Sequence, residues 1–168
     1  MNAHASKSGS TPSRCPLNAL LFGAGSGTST GDFGLAILRV GIGLYIAFGH
    51  GHAKMFAGGT LGPSEGFIQT TADLGFPAPV LFAWMAAFTE FLGGLALALG
   101  LFTRPAALGL VGTMVVAAFL EHKGDPWVGD PSKELAMLYM LPAIAFVFLG
   151  SGRYGIDAVL RKRLFCSR

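Results

Sequence analysis

Charged residues are scarce in this sequence of 168 residues. Only 12% are Asp, Glu, Lys or Arg, whereas a soluble domain carries about 25%. The hydrophobic fraction is 52% and the mean hydropathy is +0.56. So few charges cannot solvate the surface of a soluble domain. The 25 glycines suit membrane helices, in which small residues let neighbouring helices approach closely. The sequence therefore predicts an integral membrane protein.

Cysteine and the usual cofactor signatures are also rare or missing. The two cysteines, Cys15 and Cys166, lie near opposite ends, and no C-x-x-C occurs. A membrane thiol–disulfide oxidoreductase needs an attacking and a resolving thiol close together, so this class is disfavoured. No H-E-x-x-H or G-K-S/T is present, and no metal site is predicted. The net charge of +3 comes from basic residues that do not form one binding face, so no nucleic-acid partner is expected.

Long apolar runs are what the sequence does contain, and four of them approach the length of about 20 residues that a spanning helix needs. They cover about 33–52, 79–101, 105–121 and 133–149, and they predict an all-α, integral membrane four-helix bundle within residues 32–152. Asp32 is a candidate N-cap for the first span, and Pro142 should kink the fourth. Residues 1–31 are expected to form a disordered cytoplasmic tail, and residues 153–168 a basic cytoplasmic tail.

The distribution of Lys and Arg predicts the orientation of the spans. Eight basic residues fall in the two tails and the short loop around Arg104, against three in the longer loops. Basic residues accumulate on the cytoplasmic side. Both termini are therefore expected to be cytoplasmic, with the protein a multi-pass component of the inner membrane.

Two charged residues lie inside the predicted spans. A charge at membrane depth is costly, usually faces the bundle interior and often marks function. Glu90 is flanked by alanines and glycines at helical spacing, which predicts close packing against another helix. Arg39 and Glu90 lie roughly 9 and 16 Å from the cytoplasmic end by helical rise, so an Arg39–Glu90 pair is one expectation. Such a pair could instead set only the helix register.

A second group of polar residues is expected at the outer ends of the spans. His50 falls on nearly the same helix stripe as Arg39, whereas His52 points away and is expected to be solvated. Around an outer mouth above Glu90 we expect His50 together with Lys54, Glu121, His122 and Glu134. Helix ends meet water and carry such residues routinely, so each one alone has an ordinary explanation.

Three kinds of ligand would suit such a mouth. Two histidines can hold a haem, and histidine with carboxylates can hold a metal, but H-x-H alone is weak support for either. A Lys and a His beside an apolar cleft can hydrogen-bond quinone oxygens, and histidine can move protons near neutral pH. A small polar pocket for an organic ligand is favoured over haem or metal, and no intrinsic cofactor is predicted.

Four stretches together resemble the DoxX family of membrane proteins. They are LRVGIGLYIAFGHGHAKMF, FTEFLGGLALALGLFTRPAALGL, MVVAAFLEH and GSGRYGIDAVL, in this order from residue 38 to residue 160. The last resembles the closing motif G-x-G-R-x-S-x-D, with Gly155 where serine is usual. The resemblance implies a four-helix membrane bundle associated with redox metabolism. Relatives include a subunit of an archaeal thiosulfate:quinone oxidoreductase and proteins of oxidative-stress complexes.

The motif matches imply which residues are family-specific sites: Arg39, Lys54, Glu90, Arg104 and His122. With His50 added, the hypothesis is that Glu90 and His122 are catalytic and handle protons. The ligand-binding residues would then be Arg39, His50, Lys54 and Arg104.

Three functions remain open on the sequence. The first is a subunit of a quinone-linked redox complex, whose partner subunit supplies the redox centre. The second is a transporter for a small metabolite or weak acid, because intramembrane Arg and Glu suit that role too. The third is a non-catalytic assembly module. Whether the protein acts as an enzyme, and whether it forms a homo-oligomer, stays open.

Overall fold

The computed structural model describes residues 26–165, with side chains to residue 163. Within this range the chain is all-α, as predicted, and forms six helices. They are α1 (Ser29–Met55), α2 (Glu65–Asp73), α3 (Pro79–Leu99), α4 (Thr103–Glu121), α5 (Glu134–Leu149) and α6 (Ile156–Phe165). Most of the predicted N-terminal tail lies outside the described residues.

The four predicted spans correspond to α1, α3, α4 and α5. The first three are long and apolar enough to cross a membrane. Helix α5 is apolar but has 16 residues, which is roughly 24 Å of helix. Large apolar side chains are exposed along the bundle, among them Ile37, Leu108 and Phe148. This exposed surface suits lipid, whereas water would oppose it.

The start of α1 differs from the prediction. The helix begins at Ser29 because the side chain of Thr28 accepts a hydrogen bond from the Gly31 amide and caps the first turn. Asp32 is not the N-cap. It is buried inside the first turn, where its Oδ1 accepts hydrogen bonds from the amide and hydroxyl of Ser26.

Two helices lie in segments that were predicted to be a loop and a tail. In α2, the Ser64 hydroxyl accepts a hydrogen bond from the Phe67 amide, so a Ser N-cap starts a helix in the loop before α3. Helix α6 replaces the first part of the predicted C-terminal tail. Its Asp157 is fully buried and accepts hydrogen bonds from the amides of Phe102 and Thr103, which caps the start of α4.

Gly155 occupies the position where the family motif usually has serine. A Cβ atom at this position would collide with the side chain of Ser151, and it would also approach the Gly100 carbonyl. In this chain Ser151 therefore fills the space that a larger residue at position 155 would need. The Asp157 cap that follows is present.

Helices α1 and α3 cross at very short range, as glycine-rich membrane helices do. A Cβ atom on Gly43 would lie 2.6 Å from the Ala98 amide nitrogen, and one on Gly94 would lie 2.8 Å from the Gly43 carbonyl oxygen. Gly51 lies directly against the backbone of Glu90 and Phe91. This crossing holds residue 54 of α1 close to residue 90 of α3.

Replacing Gly51 with Ala should therefore destabilise the bundle by about 1–3 kcal/mol, the usual cost of overpacking. The neighbouring atoms are backbone and cannot move aside as a side chain would. Unfolding in mixed detergent micelles measures the change. Gly41→Ala is the matched control, because Gly41 is on the same helix with open space around it. Equal stability of the two variants would contradict the close crossing.

The end of the bundle at which α1 begins is closed by buried polar contacts. Arg39 is 2% exposed and donates hydrogen bonds from Nη1 to the carbonyls of Leu97 (2.9 Å) and Ala98 (2.8 Å). Its Nη2 donates to the Tyr154 carbonyl at 3.4 Å. The guanidinium thus binds carbonyls in the last turn of α3, where few helical partners remain, although the Leu97 carbonyl also accepts a hydrogen bond from the Gly100 amide. Arg153 donates to the Ser29 hydroxyl, so both described ends of the chain lie at this end of the bundle.

Candidate functional site: a lysine–glutamate pair between two cavities

A salt bridge between Lys54 and Glu90 lies near the opposite end of the bundle. Lys54 Nζ is 2.7 Å from Glu90 Oε1. The Glu90 side chain is 3% exposed and that of Lys54 is 29% exposed. Lys54 Nζ also lies 4.9 Å from the centre of the Phe67 ring, a cation–π contact with helix α2. Three helices therefore meet around one buried carboxylate.

Two cavities adjoin this ion pair. The larger has a volume of about 270 Å³ and lies between α2, α3 and α4. Its walls are mainly apolar and include Phe67, Leu74, Phe76, Phe82, Met85 and Val116. The smaller has a volume of about 230 Å³ and lies between α1, α4 and α5. Lys54 and Glu90 line both, as do Ala117 and Glu121, so the ion pair forms part of the wall that the cavities share.

The smaller cavity is more polar. Its walls include His50, His122, Tyr139 and Ser132. The His122 Nδ1 atom is 2.7 Å from Asp125 Oδ2, so this carboxylate orients the imidazole ring. The His50 ring packs edge-on against Tyr139, with the ring centres 5.6 Å apart. Several groups able to exchange protons thus line one cavity, among them Glu90 and His122.

Each of the three long helices has a π-helical turn beside these cavities. The turns are Ala47–Gly51 in α1, Thr89–Gly93 in α3 and Ala117–Glu121 in α4. They carry His50, Glu90 and Glu121 respectively. A π turn inserts one extra residue into a helix and is frequent at functional sites. Helices α1 and α3 continue beyond their π turns, whereas α4 ends with its π turn.

The structure brings four of the six predicted site residues to the cavities: Glu90, His122, His50 and Lys54. Glu121 joins them, as expected for the outer mouth, but Glu134 and His52 do not line either cavity. His52 is exposed, with its ring beside those of Phe56 and Phe91. The catalytic and binding roles assigned to these residues stay predictions.

The expected Arg39–Glu90 pair is wrong. Glu90 pairs with Lys54, and Arg39 binds carbonyls in the last turn of the same helix. Depth counted along single helices put the two charges within reach of each other, but it ignored the direction of the side chains. Arg104 likewise lies away from the cavities, with Nη2 donating to the Phe148 carbonyl at 2.7 Å. Neither arginine lines a cavity.

Several residues in and around the cavities were not predicted from the sequence. Phe67 lies in α2 and Leu74 directly follows that helix; this segment was predicted to be a loop, although its Ser64 N-cap was a usable signal. Tyr139 lies within an apolar span, and Asp125, which contacts His122 but lines neither cavity, lies in a turn-rich loop. No sequence signal identified the three π turns.

Comparisons with known proteins agree with this architecture. A sequence model of the DoxX family matches residues 34–123, which is more than half of the chain and includes Lys54, Glu90 and His122. An uncharacterized protein of Haemophilus influenzae is 36% identical over 128 residues, which cover 73% of this chain and 87% of that protein. No solved structure matches significantly. This chain is a multi-pass membrane protein that belongs to the DoxX family.

Proposed function

We propose that this protein is the quinone-binding membrane subunit of a redox complex, with the quinone ring in the larger cavity. The observation that carries the proposal is the Lys54–Glu90 pair at the wall of a mainly apolar cavity. Sites for small organic ligands are mostly apolar clefts with a few polar groups that fix the orientation. The larger cavity has this composition.

The chemistry of the cavity matches a quinone. A quinone ring is flat and apolar, and its carbonyl oxygens accept hydrogen bonds. Lys54 has donors left after its bond to Glu90, because an ammonium group carries three. The rings of Phe67, Phe76 and Phe82 supply apolar and aromatic contact. These side chains can hold the ring while Lys54 binds one carbonyl oxygen.

The smaller cavity supplies a route for protons. Reduction of a quinone takes up protons, and oxidation of a quinol releases them. Glu90 lines both cavities, and His122 with its partner Asp125 lies at the other side of the smaller one. Glu90 and His122 would pass protons between the ring and the outer surface, while a partner subunit supplies the electron-transfer centre. Such a complex would lie in the inner membrane, where the quinone pool is. The distribution of Lys and Arg predicts that its termini are cytoplasmic.

The transport hypothesis has less support from the geometry. A transported solute must leave both cavities toward the other end of the bundle. That end is closed by the Arg39 and Asp157 contacts. Uptake of a labelled weak acid into liposomes containing only this protein separates the two hypotheses, since a redox subunit should show none.

A cavity-filling variant tests quinone binding without altering the ion pair. Gly112 lines the larger cavity, and a Cβ atom there meets no other atom within 4 Å. Gly112→Leu should therefore lower the quinone that copurifies with the protein by about tenfold or more, with no loss of stability, since a cavity-filling change is rarely destabilising. Solvent extraction and chromatography of protein purified in mild detergent measure the quinone content.

Gly41→Leu is the matched control, because Gly41 is exposed on α1 with no atom within 4 Å of its Cβ position, away from both cavities. It should retain the wild-type quinone content. Wild-type protein with no more quinone than its copurified lipid would carry would contradict the proposal. So would an unchanged content in Gly112→Leu.

A further inference from the structure

One oxygen of the Glu90 carboxylate lacks a partner. Oε1 accepts a hydrogen bond from Lys54, whereas Oε2 is buried and has no hydrogen-bond partner. Leaving a buried charged acceptor unsatisfied costs free energy. A ligand that brings a donor to this atom would recover that free energy on binding.

Three hydroxyl groups that line the larger cavity donate elsewhere. Thr70 donates to the Gly66 carbonyl, Thr71 to the Phe67 carbonyl, and Thr113 to the Leu110 carbonyl. Each hydroxyl therefore bonds to its own helix and not to Glu90. The Lys54–Glu90 pair, which lines the larger cavity, thus combines an ammonium that has donors left with a carboxylate that has one buried oxygen without a partner.

The two redox forms of a quinone use these groups differently. A quinone oxygen only accepts, so it can bind Lys54 but leaves Glu90 Oε2 without a donor. A quinol oxygen carries a proton, so it can donate to Glu90 Oε2 and accept from Lys54 at the same time. Hydrogen bonds to charged groups are among the stronger ones in proteins.

We infer that the larger cavity binds the quinol form more tightly than the quinone form, with Glu90 Oε2 accepting a hydrogen bond from the quinol hydroxyl group. This inference rests on the proposed function and specifies the redox form of its ligand. One additional charge-assisted hydrogen bond corresponds to about a tenfold or larger difference in dissociation constant. The site therefore prefers quinol and does not bind the two redox forms with equal affinity.

The test compares three ligands on the full-length protein in lipid nanodiscs under argon. They are decylubiquinone, decylubiquinol and the dimethyl ether of the quinol, which keeps the ring but has no hydroxyl proton. Bound ligand is measured above the amount retained by empty nanodiscs. The quinol should bind about tenfold more tightly than the quinone, and the dimethyl ether should bind no better than the quinone.

A double variant removes the discriminating groups. Lys54→Met with Glu90→Met replaces the pair by apolar side chains, a change that folded proteins often tolerate. The quinol preference should fall to near unity in it. The three-ligand comparison on wild-type protein stands by itself if the variant does not fold.

The outcomes separate this inference from the proposed function. Equal binding of quinol and quinone, or tighter binding of the quinone, would overturn the inference and leave the proposed function in place. Binding of none of the three ligands would overturn the proposed function. A quinol preference that persists in the double variant would show that other groups distinguish quinol from quinone, and would also overturn the inference.

Discussion

Lys54→Met alone should lower the free energy of unfolding by about 3 kcal/mol, near the lower end of the range for breaking a buried ion pair. The variant leaves the Glu90 carboxylate 3% exposed and without its cation. We expect the lower end because the Lys54 side chain is 29% exposed, so solvent partly screens the pair. Unfolding by SDS in mixed micelles, followed by circular dichroism, measures the change.

The double variant, Lys54→Met with Glu90→Met, should recover most of this loss. Neither charge is then left unpaired, and apolar replacements of similar volume are often neutral or stabilising. Lys123→Met is the matched control for the single change, because Lys123 is exposed in the loop after α4. If the double variant is less stable than Lys54→Met, the destabilisation does not come from an unpaired Glu90.

Arg39→Leu should have a comparable effect at the other end of the bundle. It removes the donors for the carbonyls of Leu97, Ala98 and Tyr154, at a buried position. Loss of hydrogen bonds to a charged group costs about 1.5–3 kcal/mol each, so we expect a loss of about 3 kcal/mol or more. Arg39→Lys should be intermediate, because an ammonium group lacks the planar fork of guanidinium.

This prediction separates a structural Arg39 from the ligand-binding Arg39 that the sequence suggested. In Arg39→Lys protein that remains folded, quinone content should equal that of wild type, since Arg39 lines neither cavity. Lys162→Leu is the control at the same end of the bundle. Lys162 is exposed on α6, so its replacement should change the free energy of unfolding by less than about 1 kcal/mol. A selective loss of quinone in Arg39→Lys would restore the binding role.

The fold class and most helix positions followed from the sequence. Apolar runs of spanning length are a local property, because each helix must satisfy its own backbone in lipid. The predicted spans therefore correspond to α1, α3, α4 and α5, with boundaries shifted by capping residues such as Thr28. Helix α2 was missed because the glycines and prolines around it hid a short amphipathic segment.

The candidate site followed only in part. The sequence by itself singled out Glu90 as a charge at membrane depth. It placed His50, Lys54 and His122 at an outer mouth above Glu90. It could not decide their partners, since residues far apart in the chain meet only once the helices pack. Gly43, Gly51 and Gly94 bring α1 and α3 together closely enough to place Lys54 on Glu90.

Tertiary structure also decided which charges face a cavity and which hold helix ends together. Arg39 and Glu90 were equally notable as intramembrane charges. The first binds the terminal carbonyls of α3, while the second faces two cavities with one oxygen unpaired. The π turns beside the cavities had no signal in the sequence either. The partner of each charge depends on packing between helices, so composition and periodicity determine the membrane bundle but the packed structure determines the site.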